Sequence, residues 1–386
     1  MSLPFPPPLR RLCAAAVLGL LASLGCVNNQ NGGTTLYVYD QGSSSVLIWN
    51  DVNAVAKAAS SGGTVANADK QITGSLMPTR LAWGGLAIDT NRNLLYLVSE
   101  NGTVTVITQV STHNGALSAT TDIYQFTLGL TSEQFANAAF GQAALDLSSN
   151  ILYVLETTLD GRQTRVWRLP NPNAQGYNST VTPATSYTTA ANNDTWGVGV
   201  AAFPGGNVFG LFGNGSVVYD GLLLSYSGAR LRFGVGGTFQ DTYPDSNIII
   251  GANTGLSSSL TYGSLAYDAQ NTVLYVFSQG SSQGQVVAFN KNQFPSSSSQ
   301  FNVAPAKVFN DASGNVGSLR VLSHPPTTDV LLGASYQTAP SGTDTGNGGN
   351  VLLIWSGPNG VAKPTGVPAT LPGVTEIRGM AIGGSQ

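Results

Sequence analysis

The sequence predicts an all-β fold, a six-bladed β-propeller closed by pairing its C-terminal strand with its N-terminal hairpin. Three observations carry this expectation. Apolar hairpins recur about every 60 residues; an Asp precedes a Tyr by seven positions in three of the repeats; and the chain ends on a strand with no hairpin after it. A period of this length with strand, turn and strand in each copy is the signature of a repeat array.

The hairpins follow one another in order. They run from Leu36-Tyr37-Val38 to Val46-Leu47-Ile48-Trp49, from Leu95-Tyr96-Leu97 to Val104-Thr105-Val106-Ile107, and from Leu152-Tyr153-Val154 to Arg165-Val166-Trp167. Three more run from Val208-Phe209-Gly210 to Val217-Val218-Tyr219, from Leu274-Tyr275-Val276 to Val286-Val287-Ala288-Phe289, and from Val330-Leu331-Leu332 to Val351-Leu352-Leu353-Ile354-Trp355. Runs of β-branched and aromatic residues broken by Gly, Ser, Asn and Asp read as strands and turns.

Five hairpins are preceded by a further strand, at Gly84–Asp89, Gly141–Asp146, Gly199–Phe203, Gly263–Asp268 and Leu319–Leu322. The first hairpin has none, and Ile377–Gly383 supplies it from the other end of the chain. Circular closure of this kind leaves no inner sheet edge open to other chains. The count is six blades, or seven if Ser225 to Asn253 holds another.

Through Leu36-Tyr37-Val38-Tyr39, Leu152-Tyr153-Val154 and Leu274-Tyr275-Val276 the chain resembles bacterial β-propellers of the YVTN and lactonase-like group. The resemblance covers nearly all of residues 35–386. Its motifs are structural, so it implies a fold and leaves activity open.

Composition narrows the partners. Charged residues make up 9% of the 386, hydrophobic residues 42%, and Gly alone contributes 47. Removing Arg10 and Arg11 with a leader leaves 14 basic against 19 acidic side chains, a net charge of −5. No basic face remains to neutralise phosphates, so nucleic acid is not an expected partner.

The first 25 residues read as a secretory leader: Arg10-Arg11, an uncharged stretch from Leu12 to Gly25, and small residues at its end. A spanning helix needs about 20 apolar residues. Ala22-Ser23-Leu24-Gly25-Cys26 resembles a bacterial lipobox, in which the cysteine thiol takes diacylglycerol and the leader is cut before it. Cys26 is the one cysteine left after that cut, because Cys13 lies in the leader. Residues 26–34 then form a lipidated tether, and the absence of Asp at position 27 implies, by the same resemblance, an outer-membrane address.

Candidate ligand contacts lie where the innermost strands begin: Arg80, Trp83, Gln142, Trp196, Tyr262, Arg320, Glu376 and Arg378. Arginine forks match carboxylates and phosphates, and ring faces suit sugars or cations. The Asp residues that end the inner strands read as turn caps. With His113 and His324 the only histidines, and far apart in the chain, no metal site or cofactor is expected. The function these features imply is a monomeric, lipid-anchored cell-envelope binding or scaffold protein for a protein, glycan or small ligand. The alternative that the family resemblance implies is a lactonase-like hydrolase working in the channel.

Expressed in a bacterium, the full chain should incorporate labelled fatty acid and sediment with membranes. Cys26→Ser should incorporate no label and keep its uncut leader; label on the variant, or none on the parent chain, would refute the anchor.

Overall fold

In the computed structural model the chain divides into two units, Met1–Gly32 and Gly33–Gln386. The structure describes residues 35–383 apart from 119–120, 130–137, 159–163, 189–195, 214, 220–221, 227–228, 235, 237–238, 240–247, 261, 280–283, 295–299, 312–318, 324–329, 336–348 and 361–364. The expected leader, Cys26, the tether and His324 lie outside the described residues.

Strands are numbered β1 to β29 along the chain. Six four-stranded antiparallel blades surround a central axis, each written from its inner strand outward. Blade one is β29 (Ile377–Gly383), β1 (Thr35–Asp40), β2 (Ser45–Trp49) and β3 (Lys70–Thr73). Blade two is β4 (Leu81–Asp89), β5 (Leu94–Ser99), β6 (Thr103–Ile107) and β8 (Ile123–Leu128). Blade three is β9 (Ala138–Asp146), β10 (Ile151–Thr158), β11 (Thr164–Pro170) and β13 (Ala184–Thr188). Blade four is β14 (Trp196–Phe203), β15 (Asn207–Gly213), β18 (Arg230–Gly234) and β19 (Ile248–Ile250). Blade five is β20 (Tyr262–Asp268), β21 (Val273–Gln279), β22 (Gln285–Asn290) and β24 (Lys307–Asp311). Blade six is β25 (Leu319–Ser323), β26 (Val330–Ser335), β27 (Val351–Ser356) and β28 (Thr365–Thr370).

The closure expected from sequence is present: β29 pairs antiparallel with β1, Leu36 opposite Ile382 and Val38 opposite Met380. The inner strands touch in the cyclic order β29, β4, β9, β14, β20, β25 and back to β29.

Blade four differs from expectation. Gly215–Tyr219 (β16) is not the partner of β15. It folds back on Leu222–Tyr226 (β17) as a separate hairpin, and β15 pairs instead with β18, Phe209 opposite Phe233. Leu231 is buried between the blades, so pairing through β18 fills the core and leaves β16 and β17 as an insertion. Residues 225–253 therefore supply the third and fourth strands of this blade and no seventh blade.

Both faces of each blade are covered, because period-2 alternation sends successive side chains to opposite neighbours. The result is six apolar clusters, one between each adjacent pair of blades. Tyr37 packs toward blade two while Leu36 and Val38 pack toward blade six.

The connection between third and fourth strands repeatedly reaches back to the preceding blade. Gly115–Ala116 (β7) adds in parallel to β3, Thr180–Val181 (β12) to β8, Gln300–Phe301 (β23) to β19, and the start of β28 to β24. In blade one the same connection forms helix α1 (Val52–Ser60), capped by the Asp51 carboxylate and packed on β27 and β28 through Val52, Val55, Ala56 and Ala59. These additions cover outer edges that would otherwise offer free ladder groups.

In two of its three copies the Asp–Tyr spacing is an inter-blade clamp. Asp146 accepts from the Ser148 N–H (2.9 Å) and from the Gly206 N–H (2.6 Å) of the next blade, and the Tyr153 hydroxyl donates to the Gly206 carbonyl (2.7 Å). Asp268 and Tyr275 hold the side-chain amide of Asn359 in the same manner, at 3.1 and 3.0 Å. Burial pushes Tyr153 up to about 12, so its hydroxyl remains a donor at neutral pH. The third copy does not cross between blades: Asp89 accepts from the Arg92 N–H and guanidinium of its own turn, at 3.0 and 2.9 Å, and the buried Tyr96 hydroxyl has no partner among the described residues.

Asp40 seals the closure itself. It accepts from the Thr375 N–H (2.9 Å) and hydroxyl (2.8 Å), the Glu376 N–H (2.8 Å) and the Ser43 N–H and hydroxyl (3.0 and 2.6 Å). Burial alone would raise this carboxyl, but the bonds from Ser43 and from the backbone of Glu376 and Thr375 hold it below its usual range. An acid with a depressed folded pKa stabilises fully above its unfolded value, about 3.9, and loses that contribution as pH falls through the folded value. Asp40→Asn should therefore cost about 1.5–3 kcal/mol at pH 7 in denaturant melts and flatten the loss of stability below about pH 4. An unchanged acid limb would show that Asp40 does not carry it.

Candidate binding site

The inner strands all begin on one face of the ring, the mouth, and end on the opposite one. At the mouth, β29 of blade one and the β4 end of blade two bring five side chains together. Arg80 Nε lies 2.7 Å from Glu100 Oε2, Arg378 Nη1 lies 3.0 Å from Glu100 Oε1, and Arg378 Nε donates to Glu376 Oε1 at 2.5 Å. The Arg378 guanidinium stacks over the Trp83 ring, 4.1 Å from its centre. Two cations and two anions alternate, so the cluster has no net charge.

Its members differ in access. The Arg378 side chain is 11% exposed and that of Arg80 68%. Arg378 is thus a fixed element of the seam between blades one and two, whereas Arg80 offers its outer edge to solvent. An ion pair so exposed contributes little stability.

Of the eight residues expected at the mouth, Arg80, Trp83, Glu376 and Arg378 meet in this cluster. Tyr262, at the start of β20, stands apart and is 40% exposed. Trp196 opens β14 and Arg320 is the second residue of β25; their side chains lie outside the described residues. The sequence reading missed Glu100, which joins the two arginines. It sits in the β5–β6 turn, outside the inner-strand positions, where its N–H donates to the Arg80 carbonyl and its carbonyl accepts from the Phe140 N–H, both at 3.2 Å. A lone acidic residue in a hairpin turn facing the mouth was the available signal.

Gln142 is placed inside the ring, buried, with its carboxamide spent on the protein itself. Its Nε2 donates to the Leu265 carbonyl (2.7 Å), and its Oε1 accepts from Leu265 N–H (3.1 Å), Val200 N–H (3.3 Å) and the Ser264 hydroxyl (3.2 Å). One side chain of blade three thereby ties blades four and five across the channel. It needs small neighbours: a Cβ on Gly84, whose φ is +71°, would stand 3.1 Å from Gln142 Cγ, and one on Gly199 would stand 3.3 Å from Oε1. Gln142 is therefore a crosspiece inside the channel, where the sequence placed it at the mouth.

A further carboxylate, Glu156 on β10, is buried. Burial raises its pKa, against a 2.6 Å bond from the Trp167 indole N–H and the Arg165 guanidinium at 3.4 Å. Among the described residues no group of three His, Cys, Asp or Glu side chains is close enough to hold a metal ion.

No protein family matches the chain, and no curated protein matches it. Among solved structures it is similar to the crystal structure of TolB from Acinetobacter baumannii, with a TM-score of 0.45 and 10% identity over 92% of this chain and 67% of that one. A likeness of that degree carries nothing about function.

Gln142→Met keeps the side-chain length and removes every hydrogen bond. It should lower stability by about 1–3 kcal/mol, because buried backbone groups of β14 and β20 lose their partner. Unchanged stability would mean that the crosspiece does not hold the ring.

Proposed function

We propose that the protein is an exported, lipid-anchored propeller of the cell envelope that holds a protein or glycan partner at the mouth of its channel. The single observation that supports the site is the neutral Arg80–Glu100–Arg378–Glu376 network with Trp83, presented on a closed ring. A rigid ring offers its contacts without ordering cost on binding. Charge balance in the network, with charged residues only 9% of the chain, favours a polar, uncharged epitope over an acidic or basic one. Arg80 and Tyr262 are the exposed donors and ring face of that surface. The leader and the lipobox-like run ending at Cys26 support the envelope address.

The hydrolase alternative requires carboxylates free to grip a metal or activate water. At the mouth, Glu100 and Glu376 are each already held by arginine. The binding reading uses them as they stand.

Chemical crosslinking in intact cells followed by purification should capture a discrete envelope partner. Arg80→Ala combined with Tyr262→Ala, both at exposed positions, should cut capture at least about tenfold, a change of about 1.4 kcal/mol, without shifting the thermal midpoint. Equal capture by the double variant would remove the mouth from the interaction. Capture of no partner, with turnover of a lactone by the purified chain, would favour the hydrolase.

A further inference from the structure

The second half of the channel, between Gln142 and the face where the inner strands end, has a different character from the mouth. Five inner strands place alanine at one level: Ala87, Ala144, Ala201, Ala266 and Ala381, each opposite an aromatic residue of the second strand. Propeller blades surround a central channel, and the innermost side chains set its width. Here methyl groups leave a cavity of about 200 Å³, open to solvent at the face where the strands end, lined by all five alanines, floored by Gln142 and reaching the turns at Leu147, Pro204 and Ala269.

The wall is polar in a specific way. Each inner strand pairs along one edge only, with its second strand, so the other edge turns N–H and C=O groups toward the axis. Gln142 demonstrates what satisfies them: one carboxamide gives its N–H to a strand carbonyl and takes N–H groups from two strands. Thr90 lines the same space, and its buried hydroxyl has no hydrogen-bond partner among the described residues. The one charged lining residue, Asp146, already accepts from Ser148 and Gly206.

We propose that this half of the channel is a binding site for a small uncharged ligand carrying a carboxamide or peptide-like group. The site is separate from the mouth and does not rest on the partner proposed there. A carboxamide both donates and accepts, as the strand edges require. A carboxylate only accepts, and would be desolvated with no cation on the wall to compensate it. An engineered cavity of about 150 Å³ holds benzene, so roughly eight non-hydrogen atoms fit here.

N-Acetylglycinamide and N-acetylglycinate are near-isosteric probes of that size, differing in the group at issue. With alanine methyls labelled on the full chain, N-acetylglycinamide should give saturable NMR shifts at Ala87, Ala201 and Ala266 with a dissociation constant in about the millimolar range, as suits so small a ligand. N-Acetylglycinate should bind at least about tenfold more weakly. Ala201→Leu and Ala266→Leu, tested separately, should abolish saturation at the remaining methyls, with the thermal midpoint reporting whether each variant stays folded. Should a variant unfold, the two probes on the unaltered chain decide. Absence of saturation by the amide, or an equal response to both probes, would overturn the proposal.

Discussion

Pairing of β29 with β1 is the constraint on which the rest of the structure depends. A propeller blade buries both faces only if a neighbour stands on each side, so a linear array of six would leave two apolar faces open. Joining residues from opposite ends of the chain in one sheet removes both at once. Three further contacts converge on the same closure: Asp40 holds the start of β29, helix α1 lies over β27 and β28, and Arg378 reaches Glu100 of blade two. Their concentration here has a physical reason. In the other blades a short connection joins the inner strand to the second one, whereas β29 and β1 are held together by non-covalent contacts alone, and bringing the two ends of the chain together carries the largest loop-closure cost.

Local signals explain what was legible in the sequence. Inner strands, hairpins and the Asp–Tyr spacing depend on period-2 alternation and on turn chemistry within a few residues, and these were readable from Leu36 to Gly383. What was missed depends on contacts distant in sequence. β16 carries as good a strand pattern as β18, and only burial of Leu231 between blades chooses between them. Helix α1 had the spacing of Val52, Val55, Ala56 and Ala59 to announce it, but a nine-residue helix is marginal alone and exists by packing on blade six.

The candidate site was legible in part for the same reason. Aligning the repeats locates the starts of inner strands, which found Arg80, Trp83, Glu376 and Arg378 together. It says nothing about which side chains then pair, so Glu100, from a different strand junction, stayed invisible. Gln142 shows the opposite failure. Its position in the repeat matched the mouth, yet its length and the glycines facing it turn it inward to bind backbone.

That inward turn gives the channel two unlike halves. At the mouth, long charged side chains meet one another and leave Arg80 at the surface, so recognition there works through side chains. Past Gln142 the alanine level withdraws side chains from the axis, so strand edges join apolar side chains such as Ile88, Leu145 and Met380 in the wall a ligand would meet. Backbone groups carry no net charge and hold fixed directions, so the polar part of that wall selects by hydrogen-bond pattern rather than by sign. The side chain that divides the halves is itself an amide satisfied by those edges, which makes Gln142 both the floor of the inner cavity and the internal precedent for what the cavity accepts.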